Sequence, residues 1–242
     1  MPGPYRKHFL PLESNPEVFN ELLHRLGASP KLTFQDVFTL DEPEFLPRPA
    51  LAVILVLPTT KTYEARKTAL ESSRPDYNGS GDGELVVWFR QTINNACGLY
   101  ALLHALSNGS ASKFIESGSI LARLLQTCIP CGPDQRSQAL ENSLELEEAH
   151  AALAAKGDSL VPDNAEDDVD FHYICFVRSN VDGHLYELDG DCKGPIDTGI
   201  ALSAEEDVLS QQALGLIRGY VEQEEESIGF NIMALVRTAG VS

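Results

Sequence analysis

One stretch carries more information about this chain than any other: Gln91-Thr-Ile-Asn-Asn-Ala-Cys97-Gly-Leu-Tyr-Ala-Leu-Leu-His-Ala-Leu106. A polar run leads to a single cysteine, and an apolar segment with helical character follows. Asparagine is a favoured N-cap residue, so Asn94 and Asn95 predict that Cys97 lies in or beside the first turn of a helix. The unpaired N–H groups and the dipole of that turn favour a thiolate, which is the nucleophilic form of cysteine. The pattern also allows a second interpretation, in which Cys97 is a buried core cysteine.

The segments before this stretch predict a helix and two strands. Ser14 to Glu17 has the form of an N-cap with proline in the first turn, and an apolar stripe follows it until Gly27. Ala50 to Leu57 is a continuous apolar run bounded by prolines, which predicts a buried strand. Glu84 to Phe89 predicts a second strand that runs directly into Gln91.

The remaining segments complete the prediction of the fold. A polar, glycine-rich loop is predicted at 71–83, a helix from Ser137 to Ala155, and an exposed acidic loop from Gly157 to Asp170. Two strands follow, from Phe171 to Arg178 and from His184 to Leu188, and a hairpin loop with Gly183 joins them. The last predicted elements are a helix from Ala204 to Val221 and a strand from Phe230 to Arg237. This mixture predicts an α/β (α+β) fold with a largely antiparallel sheet. The length fits a single domain over residues 1–242.

The charge and composition of the chain exclude several classes of partner. Eighteen Lys and Arg against thirty-six Asp and Glu give a formal net charge of −18. Such a charge opposes binding to nucleic acid or an anionic membrane and attracts a basic partner, although it also serves solubility alone. The longest apolar run is far shorter than the roughly 20 residues of a membrane helix, and the first residues lack the apolar segment of a signal peptide. With five dispersed cysteines, these features lead us to expect a protein of the cytoplasm, or also of the nucleus. We also expect it to be a monomer.

A catalytic cysteine needs a base in contact with it and a third group that orients the base. Six histidines are available. His104 lies on the same helix face as Cys97 but about 10 Å further along the axis, which excludes a direct hydrogen bond. Three others fit ordinary surface positions: His8, His24 and His150. His172 and His184 remain as candidates.

Strand alternation separates these two histidines. If the hairpin folds around Ser179 to Gly183, His172 stands opposite Asp189 on the same side of the sheet. His184 differs from Asp189 by an odd number of residues, so its side chain points to the other face. His172 and Asp189 are therefore either a matched imidazole and carboxylate for Cys97, or a strand-end histidine beside a turn aspartate.

Two further features bear on the chemistry. Gln91 lies six residues before Cys97, where its side-chain amide could donate to a developing oxyanion together with the Cys97 N–H, although a glutamine at a strand end is usually only solvated. Cys128 and Cys131 have the spacing of a redox or metal motif, but without a matching second pair nearby they are best interpreted as ordinary loop cysteines. We expect neither a metal nor a cofactor.

Five motifs, in this order, resemble those of the small single-domain ubiquitin C-terminal hydrolases. They are Phe9-Leu-Pro-Leu-Glu-Ser-Asn-Pro-Glu17, Gln91-Thr-Ile-Asn-Asn-Ala-Cys97-Gly, Asp170-Phe-His172-Tyr-Ile, Val181-Asp-Gly-His-Leu-Tyr-Glu-Leu-Asp189-Gly190 and Phe230-Asn-Ile-Met-Ala-Leu235. The resemblance implies that Cys97 is the nucleophile and His172 the general base and acid. It implies that Asp189 is the orienting carboxylate and Gln91 the oxyanion donor. It also implies a papain-like fold of helix–sheet–helix layers with a knotted backbone, in which a crossing loop, here about residues 155–170, passes over the active site.

The reaction implied by the resemblance is hydrolysis of an ester, thioester or amide at the C-terminal glycine of ubiquitin, or of a ubiquitin-like protein, through an acyl-enzyme on Cys97. The crossing loop would limit the leaving group to small adducts or flexible peptides. The acidic surface suits the ubiquitin tail, which carries two arginines before its Gly-Gly. By resemblance, the residues that contact ubiquitin are Pro11, Leu12, Glu13, Asn15, Pro162, Val169, Ile228 and Phe230. Asp191 departs from the family pattern, in which a basic residue is common at this position.

Three hypotheses follow. The first is a ubiquitin C-terminal hydrolase, which the complete set of four candidate residues favours. The second is a ubiquitin-binding module whose site is latent until substrate arrives. The third is a general papain-like endopeptidase, which the crossing loop argues against.

Overall fold

The chain folds into helices packed on both faces of a six-stranded sheet. The computed structural model describes residues 5–157, 164–167, 169–223 and 229–238. The helices are α1 (Pro16–Arg25), α2 (Lys61–Ser72), α3 (Cys97–Ser107), α4 (Ile120–Cys128), α5 (Pro133–Glu141), α6 (Leu144–Ala154) and α7 (Gln211–Gln223). The strands are β1 (Lys7–His8), β2 (Leu32–Asp36), β3 (Ala50–Pro58), β4 (Ile93–Asn94), β5 (Phe171–Arg178), β6 (His184–Leu188), β7 (Ile196–Ala201) and β8 (Asn231–Arg237). Among the described helices, none combines the length and the apolarity that crossing a membrane requires.

The main sheet has the strand order β2-β8-β3-β5-β6-β7, and within the described part of the chain each pair of neighbouring strands is antiparallel. The expected α/β (α+β) fold with a mainly antiparallel sheet is therefore confirmed. A separate parallel pair joins β1 to β4, just before the cysteine. This pair fixes the N-terminal segment beside the start of α3.

The sheet is buried on both faces, which explains why β3 is apolar without alternation. Ala52, Ile54 and Val56 face a core shared with α1 and α3. The alternate residues Val53 and Leu55 face a second core that includes side chains of α7. The two cores place α3 against one face of the sheet and the α2–α7 layer against the other.

Several predicted elements are confirmed. Helix α1 begins with proline at its first position, and Asn15 Oδ1 accepts a hydrogen bond of 2.8 Å from the Glu17 N–H. Gly27 follows its end with a φ of 96°, a conformation that glycine adopts without strain. The predicted strands at Ala50–Leu57, Phe171–Arg178, His184–Leu188 and Phe230–Arg237 correspond to β3, β5, β6 and β8.

Two helix predictions need correction. The single helix expected over Ser137–Ala155 is divided between α5 and α6, because Ser143 starts a new helix by accepting a hydrogen bond of 3.2 Å from the Leu146 N–H. The helix expected from Ala204 begins only at Gln211, as α7. The sequence interpretation also missed α2, although Thr60 caps it with its hydroxyl.

The strand predicted at Glu84–Phe89 is wrong. These residues form an irregular segment, and side chains from elsewhere bind its backbone. We call these five residues the anchoring side chains: Ser179 to Leu85 O (2.8 Å), Asn108 to both Val87 N and Val87 O (2.7 and 2.9 Å), Arg136 to Trp88 O (3.2 Å), His104 to Phe89 N (3.0 Å) and Ser137 to Arg90 O (3.0 Å). They satisfy backbone groups that a sheet ladder would otherwise pair.

Candidate active site

Cys97 is the first residue of α3, as the sequence predicts, and its side chain is buried with 5% exposed. The N-cap residue is Ala96 rather than either asparagine, so that part of the prediction is wrong. Asn95 adopts a left-handed φ of 57°, which an N-cap residue does not use. Its side chain turns to the crossing loop instead. The cysteine nevertheless lies at the positive end of a fully buried helix.

His172 and Asp189 form a buried hydrogen-bonded pair, with 2.8 Å between Nε2 of the imidazole and Oδ1 of the carboxylate. This bond leaves Nδ1 as the ring nitrogen available to Cys97. Burial lowers the pKa of His172, but the Asp189 carboxylate and a hydrogen bond with the Cys97 side chain outweigh it and raise the pKa well above its ordinary value. The sequence prediction that these three residues come together is therefore matched by the geometry.

The hairpin register differs from the prediction by two residues. Cys175 pairs with Leu188, and Arg178 pairs with Leu185, so His172 does not stand directly opposite Asp189. The hairpin closes at Ser179, whose N–H donates to His184 O over 2.9 Å, and its loop is shorter than expected. A shift of two residues keeps each side chain on its predicted face. The pairing of His172 with Asp189 survives for that reason.

His184 points away from the site, as strand alternation predicts. Its Nδ1 lies 3.0 Å from Asp197 Oδ2, on the exposed part of β7. The carboxylate raises the pKa of His184 by accepting this hydrogen bond. This second histidine and aspartate pair is separate from the buried one.

Gln91 lies beside the turn that follows Asp189. Its N–H donates to Gly190 O over 2.7 Å, and a Cβ on Gly190 would come within 3.0 Å of the Gln91 Cβ. A side chain at 190 would therefore crowd Gln91, and glycine permits this close approach. The side-chain Nε2 donates to Ile93 O over 3.2 Å and keeps a second N–H for another acceptor. Within the described part of the chain, Gln91 Oε1 is a buried atom without a hydrogen-bond partner.

The sequence interpretation missed the residues that hold Asp189. The Asp191 N–H donates to Oδ1 over 2.8 Å, while the Tyr63 hydroxyl and the Cys192 thiol approach Oδ2 at 3.3 and 3.4 Å. Trp88 Nε1 donates to the backbone carbonyl of Asp189 over 2.9 Å. These donors restrict the carboxylate to one orientation. Tyr63 could have been found only by first recognising the Thr60 cap that begins α2.

Lys67 adds a positive charge behind the same carboxylate. Its ammonium lies 4.0 Å from Asp189 Oδ2 and pairs directly with Asp191. Burial raises the pKa of Asp189, but the charge and hydrogen bond of His172 and then Lys67 outweigh it and hold the pKa below its ordinary value. Asp191 thus serves as the partner of Lys67.

The segments predicted to contact substrate lie next to one another. Asn231 at the start of β8 donates to Ser14 O over 2.6 Å, which joins the last strand to the N-terminal segment. Gly157 packs so closely on Glu13 that a Cβ would lie 2.1 Å from Glu13 Oε2. The N-terminal segment, the start of the crossing loop and the last strand therefore form one continuous surface.

The individual residues on this surface differ in exposure. Pro11, Glu13, Asn15, Val169 and Phe230 are half-buried. The Leu12 side chain is buried, and its carbonyl accepts a hydrogen bond of 2.8 Å from the Tyr173 hydroxyl. Pro162 and Ile228 lie outside the described residues.

The five cysteines are free thiols. Cys128 is buried at the end of α4, and its pKa is raised by burial. Cys131 is half-buried after the same helix. Within the described ranges, no group of three or more His, Cys, Asp or Glu is arranged to hold a metal ion.

A cysteine at the start of a buried helix, packed against a sheet that presents a hydrogen-bonded histidine and aspartate, is the arrangement of papain-like cysteine hydrolases. The sequence model for "Ubiquitin carboxyl-terminal hydrolase, family 1" matches residues 9–222. Ubiquitin carboxyl-terminal hydrolase isozyme L1 of Homo sapiens is 35% identical over 232 residues, which cover 95% of this chain and 98% of that protein. Ubiquitin carboxyl-terminal hydrolase 3 of Arabidopsis thaliana is also 35% identical, over 95% of this chain and 94% of its own length. The chain belongs to ubiquitin carboxyl-terminal hydrolase family 1, a family of cysteine peptidases.

A solved structure agrees with this assignment at the level of the fold. The UCH37 catalytic domain of Trichinella spiralis, bound to ubiquitin vinyl methyl ester, superimposes with a TM-score of 0.73. The match covers 97% of both chains at 24% sequence identity. The papain-like layering predicted from the sequence is therefore confirmed.

Proposed function

We propose that this protein is a thiol-dependent hydrolase that removes small adducts or short peptides from the C-terminal glycine of ubiquitin. The observation that carries the proposal is the buried pair of His172 and Asp189, whose imidazole also interacts with the Cys97 side chain. Family membership supports the same reaction. The UCH37 relative was solved with a ubiquitin derivative, which supports ubiquitin as the partner.

In the proposed mechanism, the Cys97 sulfur attacks the carbonyl carbon of the terminal glycine, and His172 takes the thiol proton. Gln91 Nε2–H and the Cys97 N–H donate to the oxyanion that develops on the carbonyl oxygen. The protonated His172 gives its proton to the leaving group, which departs and leaves an acyl-enzyme. Water, deprotonated by His172, then hydrolyses the thioester. Asp189 holds the imidazole in the tautomer that these steps require.

The acidic charge of the chain supports a basic substrate tail. A formal charge of −18 attracts positive charge at long range, and the two arginines before the ubiquitin Gly-Gly supply it. Glu13 lies on the continuous surface formed by the N-terminal segment and the loop start. We therefore place the recognition of ubiquitin on this surface, with Pro11, Glu13, Asn15, Val169 and Phe230 as contact residues.

The test is hydrolysis of a ubiquitin C-terminal fluorogenic amide by the wild-type protein and by Cys97→Ala. We expect rapid release by the wild type, and complete loss of release with retained ubiquitin binding in the variant. The matched control is Cys131→Ala, which removes a half-buried thiol after α4 and should keep full activity. Release that persists in Cys97→Ala would contradict the proposal.

Three parallel measurements test the alternatives. The same amide on a ubiquitin-like protein, used at equal concentration, reports the preference between the two modifiers. A well-folded wild type that binds ubiquitin without turnover would favour the latent binding module. Cleavage of unfolded casein would favour a general endopeptidase.

A further inference from the structure

Asn95 gives both of its side-chain donors to the crossing loop. It lies two residues before Cys97, is 6% exposed and adopts a left-handed φ of 57°. Its Nδ2 donates to Ala165 O over 3.0 Å and to Asp167 O over 2.8 Å. A primary amide has two N–H groups, so the donor capacity of Asn95 is used entirely on this loop. The neighbouring Asn94 reaches Ala165 O only at 3.4 Å.

The part of the loop that Asn95 binds is a turn with its own hydrogen bonds, formed by residues 164–167. The Asp167 N–H donates to Asn164 O, and the Glu166 N–H donates to Asn164 Oδ1, each over 3.1 Å. The second of these bonds is that of an Asx-turn, in which an asparagine side chain accepts from the backbone N–H two residues on. Asn95, two residues before Cys97, holds this turn by two of its carbonyls.

The two ends of the crossing loop are attached elsewhere. Gly157, at one end, packs on Glu13. At the other end, the Thr59 N–H donates to Asp170 O over 2.8 Å, where β3 and β5 meet. Of these attachments, the bonds from Asn95 lie nearest in sequence to Cys97. Their loss would release residues 164–167 from the part of the chain just before the nucleophile.

Asparagine at position 95 is suited to holding the loop by two hydrogen bonds. Asparagine tolerates a left-handed φ better than other non-glycine residues, and its amide supplies two donors at the end of a short side chain. Aspartate has the same shape and tolerates the same φ, but its carboxylate accepts hydrogen bonds and repels backbone carbonyls. Glycine adopts the conformation without strain and offers no side-chain donor. The two substitutions therefore remove the bonds to the loop for different reasons.

We propose that Asn95 is a specificity-determining residue, which ties the 164–167 turn beside Cys97 and thereby sets the largest adduct that can leave. This inference rests on the proposed function. With the turn tied, residues 164–167 limit the space open to an adduct on this side of the site, which excludes a folded domain. With the turn released, these residues can move away, and a folded adduct can reach the sulfur.

The experiment compares two substrates in each variant. One is the fluorogenic amide of ubiquitin, and the other is ubiquitin joined through its terminal glycine, without a linker, to a small folded domain. We expect Asn95→Asp and Asn95→Gly each to raise the ratio of kcat/KM for the folded adduct over the amide by about tenfold or more. The matched control Asn94→Ala, which loses only the 3.4 Å contact, should keep the wild-type ratio.

Hydrogen exchange supplies a second readout. The amides of Glu166 and Asp167 should exchange faster in both Asn95 variants than in the control. An unchanged substrate ratio in a folded variant with faster exchange would overturn the proposal, as would unchanged exchange. A ratio that rises only in Asn95→Asp would also overturn it, because the added charge would then be the cause. The wild type's turnover of the small amide tests the proposed function separately.

Discussion

The two halves of the candidate site are built in different ways. His172 and Asp189 lie on and just after neighbouring strands, β5 and β6, whose backbones pair in a regular antiparallel ladder. Gln91 and Cys97 follow the irregular segment 84–90, whose backbone is bound by the anchoring side chains. One half is positioned by backbone pairing, and the other is positioned by particular buried side chains.

This difference bears on which substitutions each half tolerates. A ladder depends little on residue identity, so its geometry survives most changes at exposed positions. An irregular buried segment loses the partner of a backbone group whenever an anchoring side chain is removed, and a buried unpaired group costs about 1–3 kcal/mol. We call the part with Gln91 and Cys97 the cysteine half and the part with His172 and Asp189 the ladder half. We expect substitutions in the cysteine half to destabilise the protein more.

The largest expected effect lies in the ladder half, at the carboxylate. Asp189→Asn should lower kcat for the ubiquitin amide by about 10³-fold or more, because an amide no longer selects the required tautomer of His172. Stopped-flow or steady-state hydrolysis measures the effect. Tyr63→Phe is the control, since it removes only the 3.3 Å bond to Oδ2 and should cost about tenfold or less. Equal losses in the two variants would contradict the assignment of Asp189 as the orienting group.

The second effect is a loss of stability in the cysteine half. Asn108→Ala removes the hydrogen bonds to Val87 N, Val87 O and His104 O, and it should lower the free energy of unfolding by about 2–4 kcal/mol. Val181→Ser, at the exposed tip of the hairpin, should change it by less than about 0.5 kcal/mol. Urea unfolding measures both variants. If Val181→Ser is destabilised as much as Asn108→Ala, the proposed difference in tolerance between the two halves is contradicted.

The smallest expected effect is on how the free energy of unfolding depends on pH. His104 accepts from the Phe89 N–H and must be neutral to do so. Burial lowers the pKa of His104 to about 4, so the folded protein resists a proton that the unfolded chain binds near pH 6.5. The stabilisation from His104 is therefore present above about pH 6.5 and falls as the pH drops towards 4.

The ladder half should respond differently over the same range. The pKa of Asp189 is lowered, so its contribution stays nearly constant between pH 7 and pH 5. The pKa of His172 is raised, so its contribution becomes fully present once the pH falls below about 6.5 and is not lost on acidification. Acidification from pH 7 to 5 should thus cost the wild type about 1–2 kcal/mol more than it costs His104→Gln, which cannot take up the proton. Urea unfolding at the two pH values measures the difference. An equal loss in both proteins would show that His104 is not the titrating group.

Much of the fold could be predicted because its signals are local and periodic. Asn15 and Pro16 predict the start of α1, and the bounded apolar run at 50–57 predicts β3. The hairpin register was wrong by two residues, yet the face of His172 was right, because side chains alternate with a period of two. The strand at Glu84–Phe89 was wrong because Val86, Trp88 and Phe89 are buried in the core shared with α1 and α3, and the hydrogen-bond partners of the segment are distant side chains.

The sequence by itself determined which residue types face which side of their elements, and so it could bring Cys97, His172 and Asp189 into one hypothesis. Only the tertiary structure decided what holds them. In the sequence, Asn95 has the pattern of a helix cap. In the structure it instead donates hydrogen bonds to the crossing loop, because residues 165 and 167 lie against it. Tyr63 and Lys67 support Asp189 across more than 120 positions in the chain. Local periodicity is encoded in neighbouring residues, whereas contacts between distant segments arise only when both cores have packed.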